Sequence, residues 1–244
     1  MKTQTIAEKV KSLEQSDTIP SDVYYIIRLD GVGFTKNIED MGFSRPLDYE
    51  LHQLMSNTTK YLMDNPKAKL KILAAHTQSD EISLLIDKED MTHNRRQEKL
   101  LSITAGLASA YFSMYMRSVV VFDARISLAF GKQDVIDYFN VRMEDAYRNC
   151  INNYLYWTLR KNGKSAKVAT ALMQPLNQKQ RIEMLANLNI DINVLEIWMK
   201  YGTLFMWEEI PHTGFNPITN QEVITTRRRI FSLSASKNIV DNLI

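Results

Sequence analysis

The sequence contains little cysteine and no long hydrophobic run. Its one cysteine, Cys150, excludes an internal disulfide and a cysteine-rich zinc module, and is typical of a reducing compartment. No stretch approaches the roughly 18 apolar residues that a transmembrane helix needs, and the charged start of the chain has no apolar core of signal-peptide length. We therefore expect a soluble, cytoplasmic protein with no membrane partner.

A large excess of charge of either sign is also absent. The chain has 30 Lys and Arg against 28 Asp and Glu, a formal net charge of +2. This balance excludes a generic polycation, so any contact with nucleic acid requires a local basic patch. Hydrophobic residues make up 45% of the chain and charged residues 24%, which excludes wholesale disorder.

The hydrophobic patterns of the first half predict alternating helices and strands. They predict a helix, a strand, a helix, two strands, a helix and a strand, at residues 3–14, 23–29, 46–63, 71–75, 82–86, 94–116 and 118–127. After the first helix, this order is that of the ferredoxin-like βαββαβ fold. We therefore expect an α+β protein with a palm-like antiparallel sheet.

The second half is predicted to be mainly helical. Helices are expected at residues 133–161, 165–172 and 178–187, and two strands at 203–209 and 223–232, joined by a turn-rich loop at 212–217. We expect residues 1–132 to form the N-terminal helix and the palm. Residues 133–244 are expected to form a helical part with a terminal β-hairpin arm, packed with the palm as one unit.

Carboxylates lie at the ends of two strands that neighbour each other in a ferredoxin-like sheet. Asp30 ends the first predicted strand, and Asp80 and Glu81 lie at the turn between the second and third. Two carboxylates a few ångströms apart repel each other unless a cation lies between them. Oxygen ligands with open positions for phosphates suit Mg²⁺. The pattern therefore indicates phosphoryl transfer with two metal ions, in which one activates a hydroxyl and the other holds pyrophosphate.

The scarcity of glycine gives meaning to the pair that follows Asp30. Glycine makes up 8 of 244 residues, about 3% against an average near 7%, yet Gly31 and Gly33 lie together. They would let the backbone approach a metal and a triphosphate, and the Gly31 carbonyl could itself be a ligand. The alternative is that Asp-Gly is only a turn signal and that residues 79–81 form a solvated hairpin tip.

Separated motifs between about residues 22 and 230 resemble the tRNA-His guanylyltransferase family. They are Arg28-Leu-Asp-Gly-Val-Gly-Phe34, Phe43-Ser-Arg-Pro-Leu-Asp48, Gln78-Ser-Asp-Glu-Ile-Ser83, Arg95-Arg-Gln-Glu-Lys99, Phe122-Asp-Ala-Arg125, Arg142-Met-Glu-Asp-Ala-Tyr-Arg-Asn149, Tyr156-Trp-Thr-Leu159, Lys200-Tyr-Gly202 and Trp207-Glu-Glu209. The resemblance implies a polymerase-like palm that works in the reverse direction and adds nucleotides to the 5′ end of an RNA, usually a tRNA. ATP and GTP would be substrates, and assembly as a homotetramer, a dimer of dimers, is implied.

The resemblance also implies roles for individual residues. Asp30, the Gly31 carbonyl and Asp80 would hold two Mg²⁺ ions, and Glu81 would support this catalytic group. The nucleotide would be cradled by a loop and by positions that match the family's basic and acidic sites: Asp30, Gly31, Val32, Gly33, Phe34 and Thr35, with Ser79, Asp80, Arg45 and Asp48.

Basic residues supply further candidates. Lys99 follows Arg95 and Arg96 by one helical turn, so the three would share a face that contacts phosphates; the alternative is a solvated start of the helix. Candidates for RNA binding are Arg95, Arg96, Arg142, Arg148, Asn149, Asn153, Arg227 and Arg229. For these the alternatives are an exposed helix face and a basic strand that discourages aggregation. The four histidines share no metal-ligand spacing and are interpreted as structural or solvent-facing, and Cys150 as a buried apolar residue.

Three positions depart from the family pattern. Val32 stands where Arg is common, Thr35 where His is common, and Tyr147 where the eukaryotic branch carries His. The chain thus looks like the bacterial and archaeal like-protein branch, which implies template-directed repair of truncated tRNA 5′ ends.

Three alternatives remain open. They are a dedicated tRNA-His guanylyltransferase, a nucleotide cyclase or dinucleotide synthase, and a non-catalytic tRNA-binding protein on the same fold. The turn Gln78-Ser-Asp-Glu-Ile82 differs from the Gly-Gly-Asp-Glu-Phe hairpin of the cyclase type. Both metal carboxylates are present, which counts against the non-catalytic alternative.

Overall fold

The computed structural model describes residues 16–34, 40–216, 218–236, 240, 241 and 243, together with residues 6, 9, 13 and 14. The predicted helix at residues 3–14 falls almost entirely outside this set, as does Thr35. The described residues form strands β1 (Tyr24–Gly31), β2 (Ile72–Gln78), β3 (Glu81–Ile86), β4 (Phe122–Ala129), β5 (Thr203–Asn216) and β6 (Gln221–Ser234). The helices are α1 (Tyr49–Met63), α2 (Gln97–Met116), α3 (Lys132–Lys161), α4 (Ala166–Met173), α5 (Gln178–Asn187) and α6 (Ile197–Tyr201).

The strands form one antiparallel sheet in the order β4-β1-β3-β2-β5-β6. The first four follow the order of the ferredoxin-like fold, so the predicted α+β palm is confirmed. Strands β5 and β6 extend the sheet beyond β2. None of the described helices is long and apolar enough to cross a membrane.

The two faces of the sheet are covered by different helices because side chains alternate along β1. Tyr25, Ile27 and Leu29 point to one face, where they pack with α1 and α2. Ile26 points to the opposite face, where it packs against the first half of α3. The second half of α3 extends past the sheet and packs against α4 and α5.

Helix α1 begins later than its sequence pattern predicts. Pro46 was expected in its first turn, but the helix begins at Tyr49. Asp48 is the N-cap: its Oδ1 accepts hydrogen bonds from the backbone N–H groups of Glu50 and Leu51, at 2.8 and 3.0 Å. A carboxylate in this position satisfies N–H groups that have no partner within the helix.

The β-arm is longer than predicted. Residues 203–206 of β5 pair with β2, whereas the pairing of β5 with β6 continues to Asn216 and Gln221. Most of the predicted turn-rich loop is therefore strand, because cross-strand pairing outweighs the weak strand propensity of this polar segment. Trp207 anchors the base of the arm by donating its indole N–H to the Ile72 carbonyl at 2.8 Å.

The packing of Phe34 requires glycine at position 31. A Cβ atom on Gly31 would lie 2.3 Å from the Phe34 ring, which is buried against Phe112 and Phe122. We expect Gly31→Ala to lower the free energy of unfolding by about 1–3 kcal/mol through overpacking. Urea denaturation monitored by circular dichroism measures this change.

A matched control separates this clash from the general effect of removing a glycine. Gly106 lies inside α2 with open space around it, so Gly106→Ala should stabilise the protein by about 0.5–1 kcal/mol. Phe34→Leu should relieve part of the loss in the Gly31→Ala background. Unchanged stability of Gly31→Ala would contradict the assigned contact.

Candidate active site

Three carboxylates form a row across neighbouring strands at one end of the sheet. Asp30 on β1 has Glu81 on β3 and Asp123 on β4 as its cross-strand partners. Directly paired residues project to the same face of a sheet, and here this is the face that α3 covers. Asp123 was missed as a candidate from sequence, although the Phe122-Asp-Ala-Arg125 motif was the signal that could have found it.

Two arginines offset the repulsion within this row. Arg28 lies two residues before Asp30 on β1 and pairs across the strands with Arg125. The Nε atom of Arg28 lies 3.7 Å from a Glu81 oxygen, and Arg125 Nη2 lies 3.4 Å from an Asp123 oxygen. Like charges directly opposite each other destabilise a sheet, so these guanidinium groups allow the acidic row to form.

The turn between β2 and β3 brings Asp80 to the same place. It has two residues, and Ser79 adopts a left-handed backbone with φ of +54°. The Asp80 carbonyl accepts a hydrogen bond from the Gly31 N–H at 3.1 Å, which ties the turn to the end of β1. Burial raises the pKa of the Asp80 carboxyl, and the nearby charge of Asp30 adds to this rise.

Glu81 is balanced by arginines on both sides. Arg142 on α3 places its Nη1 atom 3.4 Å from a Glu81 oxygen, opposite Arg28. Burial raises the pKa of Glu81, while the charges of Arg28 and Arg142 lower it and only partly offset the burial. The carboxylate is thus occupied by ion pairs, which agrees with a supporting place beside Asp30 and Asp80; its catalytic role stays a prediction.

A cleft of about 320 Å³ lies between the acidic strand ends and the middle of α3. Its lining includes Asp30 and residues 78–81 on one side, and on the other the helix residues Arg142, Asp145, Ala146, Asn149, Cys150 and Asn153. These helix positions recur every three or four residues and so share one face. Three predicted RNA-binding residues, Arg142, Asn149 and Asn153, are therefore next to the carboxylates. Arg148 is more exposed and pairs with Asp145.

The loop after Asp30 contributes less to the cleft than predicted. Val32 is 52% exposed, and Gly33 has a positive φ of +76°. Phe34 is 1% exposed and its ring lies in the aromatic core, so only its backbone is left for a contact with nucleotide, and that contact stays a prediction. The predicted contact of Thr35 lies outside the described residues. Ser79, by contrast, lines the cleft beside Asp80.

Arg45 and Asp48 lie in a small pocket that adjoins the cleft at residues 78 and 79. The guanidinium group of Arg45 stacks 5.0 Å from the centre of the Trp157 ring. Its positive charge offsets a small part of the rise in the pKa of Asp80. Asp48 caps α1 and also accepts the Ser44 N–H at 2.8 Å. Partial burial raises the pKa of the Asp48 carboxyl, but the backbone hydrogen bonds lower it by more, so the net pKa is below its ordinary value. Any nucleotide contact of Asp48 would share the carboxylate with helix capping.

Lys99 and Arg95 lie at the opposite end of the sheet from Asp30. Arg95 is 2% exposed and donates hydrogen bonds to three carbonyl groups, including that of Val23 just before β1. The predicted RNA contact of Arg95 is therefore wrong for this fold. Val23 precedes Asp30 by seven residues, about 23 Å along a strand. Lys99 is exposed near the start of α2, so the structure does not bring it to the cleft of the same chain.

The predicted shared face of three cations is also wrong. Residues 93–95 have left-handed backbones with φ of +53° to +57°, and α2 begins only at Gln97. Arg95 consequently points into the core, while Arg96 places its Nε atom 3.4 Å from the carboxylate of Glu98. The RNA-binding role of Arg96 and the phosphate contact of Lys99 stay predictions.

The two arm arginines that were predicted to bind RNA, Arg227 and Arg229, also lie away from the cleft. The arm leaves the sheet past the start of β2, whereas the cleft lies at the end of β2. Arg229 is paired with Glu208, with Nε 2.7 Å from its oxygen, and Arg227 is exposed. Their predicted RNA contacts stay predictions.

Two histidines and the cysteine are packed among neighbouring residues. His52 stacks on Trp198 with ring centres 4.3 Å apart, and burial lowers its pKa to about 4. His76 places its Nε2 atom 2.8 Å from the Tyr201 carbonyl, and burial also lowers its pKa to about 4. Cys150 is buried, and burial raises its thiol pKa to about 12. The predicted burial of Cys150 is confirmed, and the interpretation of the histidines as structural or solvent-facing stays a prediction.

The donor set of the cleft suits a hard cation that keeps most of its own water. Within the described ranges, no group of three or more His, Cys, Asp or Glu side chains is arranged to hold a metal ion by itself. Asp30 and Asp80 provide two carboxylates, and Glu81 is occupied by arginines. Mg²⁺ commonly binds through one or two carboxylates and completes its shell with water and substrate phosphates, so these residues fit it.

Comparisons with known proteins agree with the motifs. A family model described as tRNAHis guanylyltransferase matches residues 7–143, and one described as Thg1 C terminal domain matches residues 133–240. The tRNA(His) guanylyltransferase of Debaryomyces hansenii is 30% identical over 214 residues, which cover 82% of this chain and 80% of that protein. The probable tRNA(His) guanylyltransferase of Drosophila melanogaster is 28% identical over 83% of this chain and 73% of that protein.

Solved structures show the same fold. The tRNA(His) guanylyltransferase of Saccharomyces cerevisiae superposes with a TM-score of 0.72 at 24% identity, over 80% of this chain and 90% of that chain. A bacterial tRNA(His) guanylyltransferase (Thg1)-like protein in complex with ATP gives a TM-score of 0.72 at 24% identity, over 98% of this chain and 99% of that chain.

The pKa of Asp80 leads to a prediction about stability in the absence of metal. Because its pKa is raised on folding, the folded state binds more protons than the unfolded state, and stability falls as the pH rises through this window. With a chelator present, Asp80→Asn should therefore raise the free energy of unfolding at pH 7. The gain should shrink as the pH falls towards 3.8, the ordinary value for this group.

Asp48→Ala is the control of opposite sign. The pKa of Asp48 is lowered on folding, so its carboxylate stabilises the fold at neutral pH and this contribution is lost in acid. The variant should lose about 1 kcal/mol at pH 7 through the missing N-cap. Urea denaturation across pH 4–7 measures both variants. A destabilised Asp80→Asn at pH 7 would show that burial is not the dominant effect on Asp80.

Proposed function

Because the chain belongs to the tRNA(His) guanylyltransferase family, a family of nucleotidyltransferases, we propose that it adds nucleotides to the 5′ end of a tRNA in the 3′–5′ direction. The observation that carries this proposal is the convergence of Asp30 and Asp80 at a cleft on the α3 side of the sheet. Nucleoside triphosphates, ATP and GTP among them, would be the second substrate, as the ATP complex of the bacterial like-protein suggests.

In this reaction the 3′-hydroxyl of an incoming nucleoside triphosphate attacks the activated 5′ phosphate of the RNA, and pyrophosphate leaves when the 5′ end carries a triphosphate. We propose that Asp30, Asp80 and the Gly31 carbonyl hold two Mg²⁺ ions, which would lower the pKa of the attacking hydroxyl and neutralise the phosphates. The raised pKa of Asp80 supports this role, since a cation would relieve the cost of its buried charge.

The chain's own residues position the carboxylates and the substrates. Arg28 and Arg142 form ion pairs with Glu81, so that Glu81 does not compete with Asp30 and Asp80 for the metal ions. Asn149 and Asn153 present side-chain amides to the cleft, where they can donate to phosphate, sugar or base oxygens and accept from base N–H groups. Ser79 lines the cleft beside Asp80. It would therefore lie next to the triphosphate that Asp30 and Asp80 would bind through the metal ions.

We further propose that the added nucleotide is chosen by the template base of the RNA. Tyr147 stands where the eukaryotic branch has His, and its ring stacks on Tyr201 with centres 5.2 Å apart. A tyrosine held in this way is a packing residue, which supports the like-protein activity of template-directed repair. The second candidate, dedicated addition of G to tRNA(His), is favoured by the names of the curated relatives.

Cytoplasmic location and homotetrameric assembly stay predictions, as does the division of the chain at residues 132 and 133. A non-catalytic tRNA-binding protein on this fold would not need two carboxylates beside each other, and retaining the partly buried charge of Asp80 carries an energetic cost. The first experiment below separates this alternative from the proposed function, because a non-catalytic protein would add no nucleotide even when unaltered.

Asp30→Asn and Asp80→Asn should each abolish nucleotide addition to a 5′-triphosphorylated, truncated tRNA. Two-metal charge stabilisation is worth several kcal/mol, so we expect a loss of about a thousandfold or more. Because both residues serve one cation pair, the double variant should lose little more than either single variant. Incorporation of labelled nucleotide under single-turnover conditions measures this loss.

Asp64→Asn is the matched control, since Asp64 is an exposed residue at the end of α1 that is distant from the cleft. It should keep the activity of the unaltered protein. Titration calorimetry with Mg²⁺ and a non-hydrolysable triphosphate adds a readout besides activity. Near-normal addition by either cleft variant would remove the metal assignment.

The choice of nucleotide should follow Watson–Crick pairing with the acceptor strand. We expect each truncated tRNA in a set that differs only in the template base to accept its complementary triphosphate. A mispair would displace the attacking hydroxyl by about an ångström, which can cost on the order of a hundredfold in rate. Each tRNA is offered the four triphosphates singly. Addition of G at similar rates opposite every base would favour the dedicated guanylyltransferase.

A further inference from the structure

The basic residues of this nearly neutral chain are unevenly distributed. Residues 146–182 contain seven Lys and Arg and no Asp or Glu, whereas the remaining residues carry 23 Lys and Arg against 28 Asp and Glu. The seven are Arg148, Arg160, Lys161, Lys164, Lys167, Lys179 and Arg181. This segment covers the second half of α3, all of α4 and the start of α5. A local patch of this kind is what nucleic-acid binding requires when net charge is small.

Part of this patch continues the face of α3 that lines the cleft. The cleft-lining positions end at Asn153, and steps of four residues along the same helix face lead to Trp157 and Lys161. Lys161 is the last residue of α3, and Lys164 follows in the turn. From Asn153 to Lys161 the helix rises about 12 Å.

Arg45 connects the cleft to this basic end. Its guanidinium group stacks on Trp157, and its carbonyl accepts a hydrogen bond from the Lys161 side chain at 3.4 Å. It also lies in the small pocket that shares Ser79 with the cleft. Positive charge therefore extends from Arg45, beside the cleft, to Lys161 at the end of α3.

Three lysines at this end are exposed: Lys161, Lys164 and Lys167. Among the described residues, none of them forms an ion pair with a carboxylate. Lys161 is favourably placed near the C-terminal end of the α3 dipole, which would be a sufficient structural reason for it alone. Lys167, however, lies in the first turn of α4, where a cation opposes the helix dipole and gains from a bound anion.

We propose that Lys161, Lys164 and Lys167 bind backbone phosphates of the tRNA whose 5′ end occupies the cleft of the same chain. This surface rests on the proposed function and adds to it a path for the RNA body. The contact is electrostatic and independent of base identity, as expected for lysines that meet phosphates as point charges. It would fix the RNA relative to Asp30 and Asp80 without selecting the added nucleotide.

The proposal is tested by the salt dependence of tRNA binding in the absence of any triphosphate. Each phosphate neutralised contributes about 0.9 to the slope of log affinity against log salt for a duplex. The triple variant Lys161→Gln, Lys164→Gln, Lys167→Gln should therefore reduce this slope by about 2 to 3. Lys67→Gln, Lys69→Gln, Lys88→Gln removes three exposed lysines at the other end of the sheet and should leave the slope unchanged.

Site-directed crosslinking adds a readout that a merely structural role would not move. Because Cys150 is buried, a thiol introduced by Lys164→Cys can carry a photoreactive group alone. We expect it to crosslink to nucleotides near the RNA 5′ end, and the same group at Lys67→Cys to give only background. Equal crosslinking from the two positions, or an unchanged slope in the triple variant, would overturn the proposal.

Three further outcomes keep this surface separate from the proposed function. If the triple variant reduces the slope of tRNA binding as expected but the unaltered protein adds no nucleotide, the proposed function fails and the surface stands. If the triple variant changes mass in light scattering without RNA while its slope is unchanged, the surface is an interface between copies of the chain and the proposal fails. Nucleotide addition with an unaffected slope would reject the surface alone.

Discussion

The pairing of β1 with β3 brings together carboxylates that would repel each other and separate in water. The site depends on the interactions that offset this repulsion. Asp30 lies opposite Glu81 and Asp123, and the turn places Asp80 beside them. Antiparallel pairing fixes this register, since a slip by one residue would move the hydrophobic residues of β1 out of the core. Arg28, Arg125 and Arg142 offset part of the repulsion. Asp80 has no such ion pair among the described residues and keeps a raised pKa.

The sequence predicts the parts of the site that follow from topology. The order of strands and helices places Asp30 beside the turn at Asp80, and the structure has this arrangement. Prediction from sequence fails where the direction of a side chain depends on residues that are distant along the chain. Phe34 turns into a cluster with Phe112 and Phe122 that its local loop pattern does not reveal. Arg95 enters the core because three left-handed residues interrupt a segment that looks helical.

Position along the sheet separates the predicted nucleotide- and RNA-binding residues into two groups. Arg45, Arg142 and Asn149 lie at the end where the carboxylates are, while Lys99 and the β-arm lie towards the opposite end. Sequence motifs give the order of these residues but not the end of the strand at which each lies. A helix that runs parallel to a strand, as α2 does to β1, places its first residues beside the start of that strand and far from its end. For this reason, residues from motifs of the same family can lie at opposite ends of the sheet.

Helix α3 has three successive environments along its 30 residues. Its first part packs on the sheet through Val135 and Phe139, its middle faces the acidic cleft, and its last turn presents Lys161. A continuous helix keeps these parts at fixed distances, since each residue adds about 1.5 Å. The packing of the first part against the sheet therefore sets where the basic end lies relative to Asp30 and Asp80. A polyanion that contacts both the cleft and the lysines would meet negative charge at the strand ends that α3 faces and positive charge at the end of α3 itself. Its reacting end needs a cation at the carboxylates, while its body needs none at the lysines.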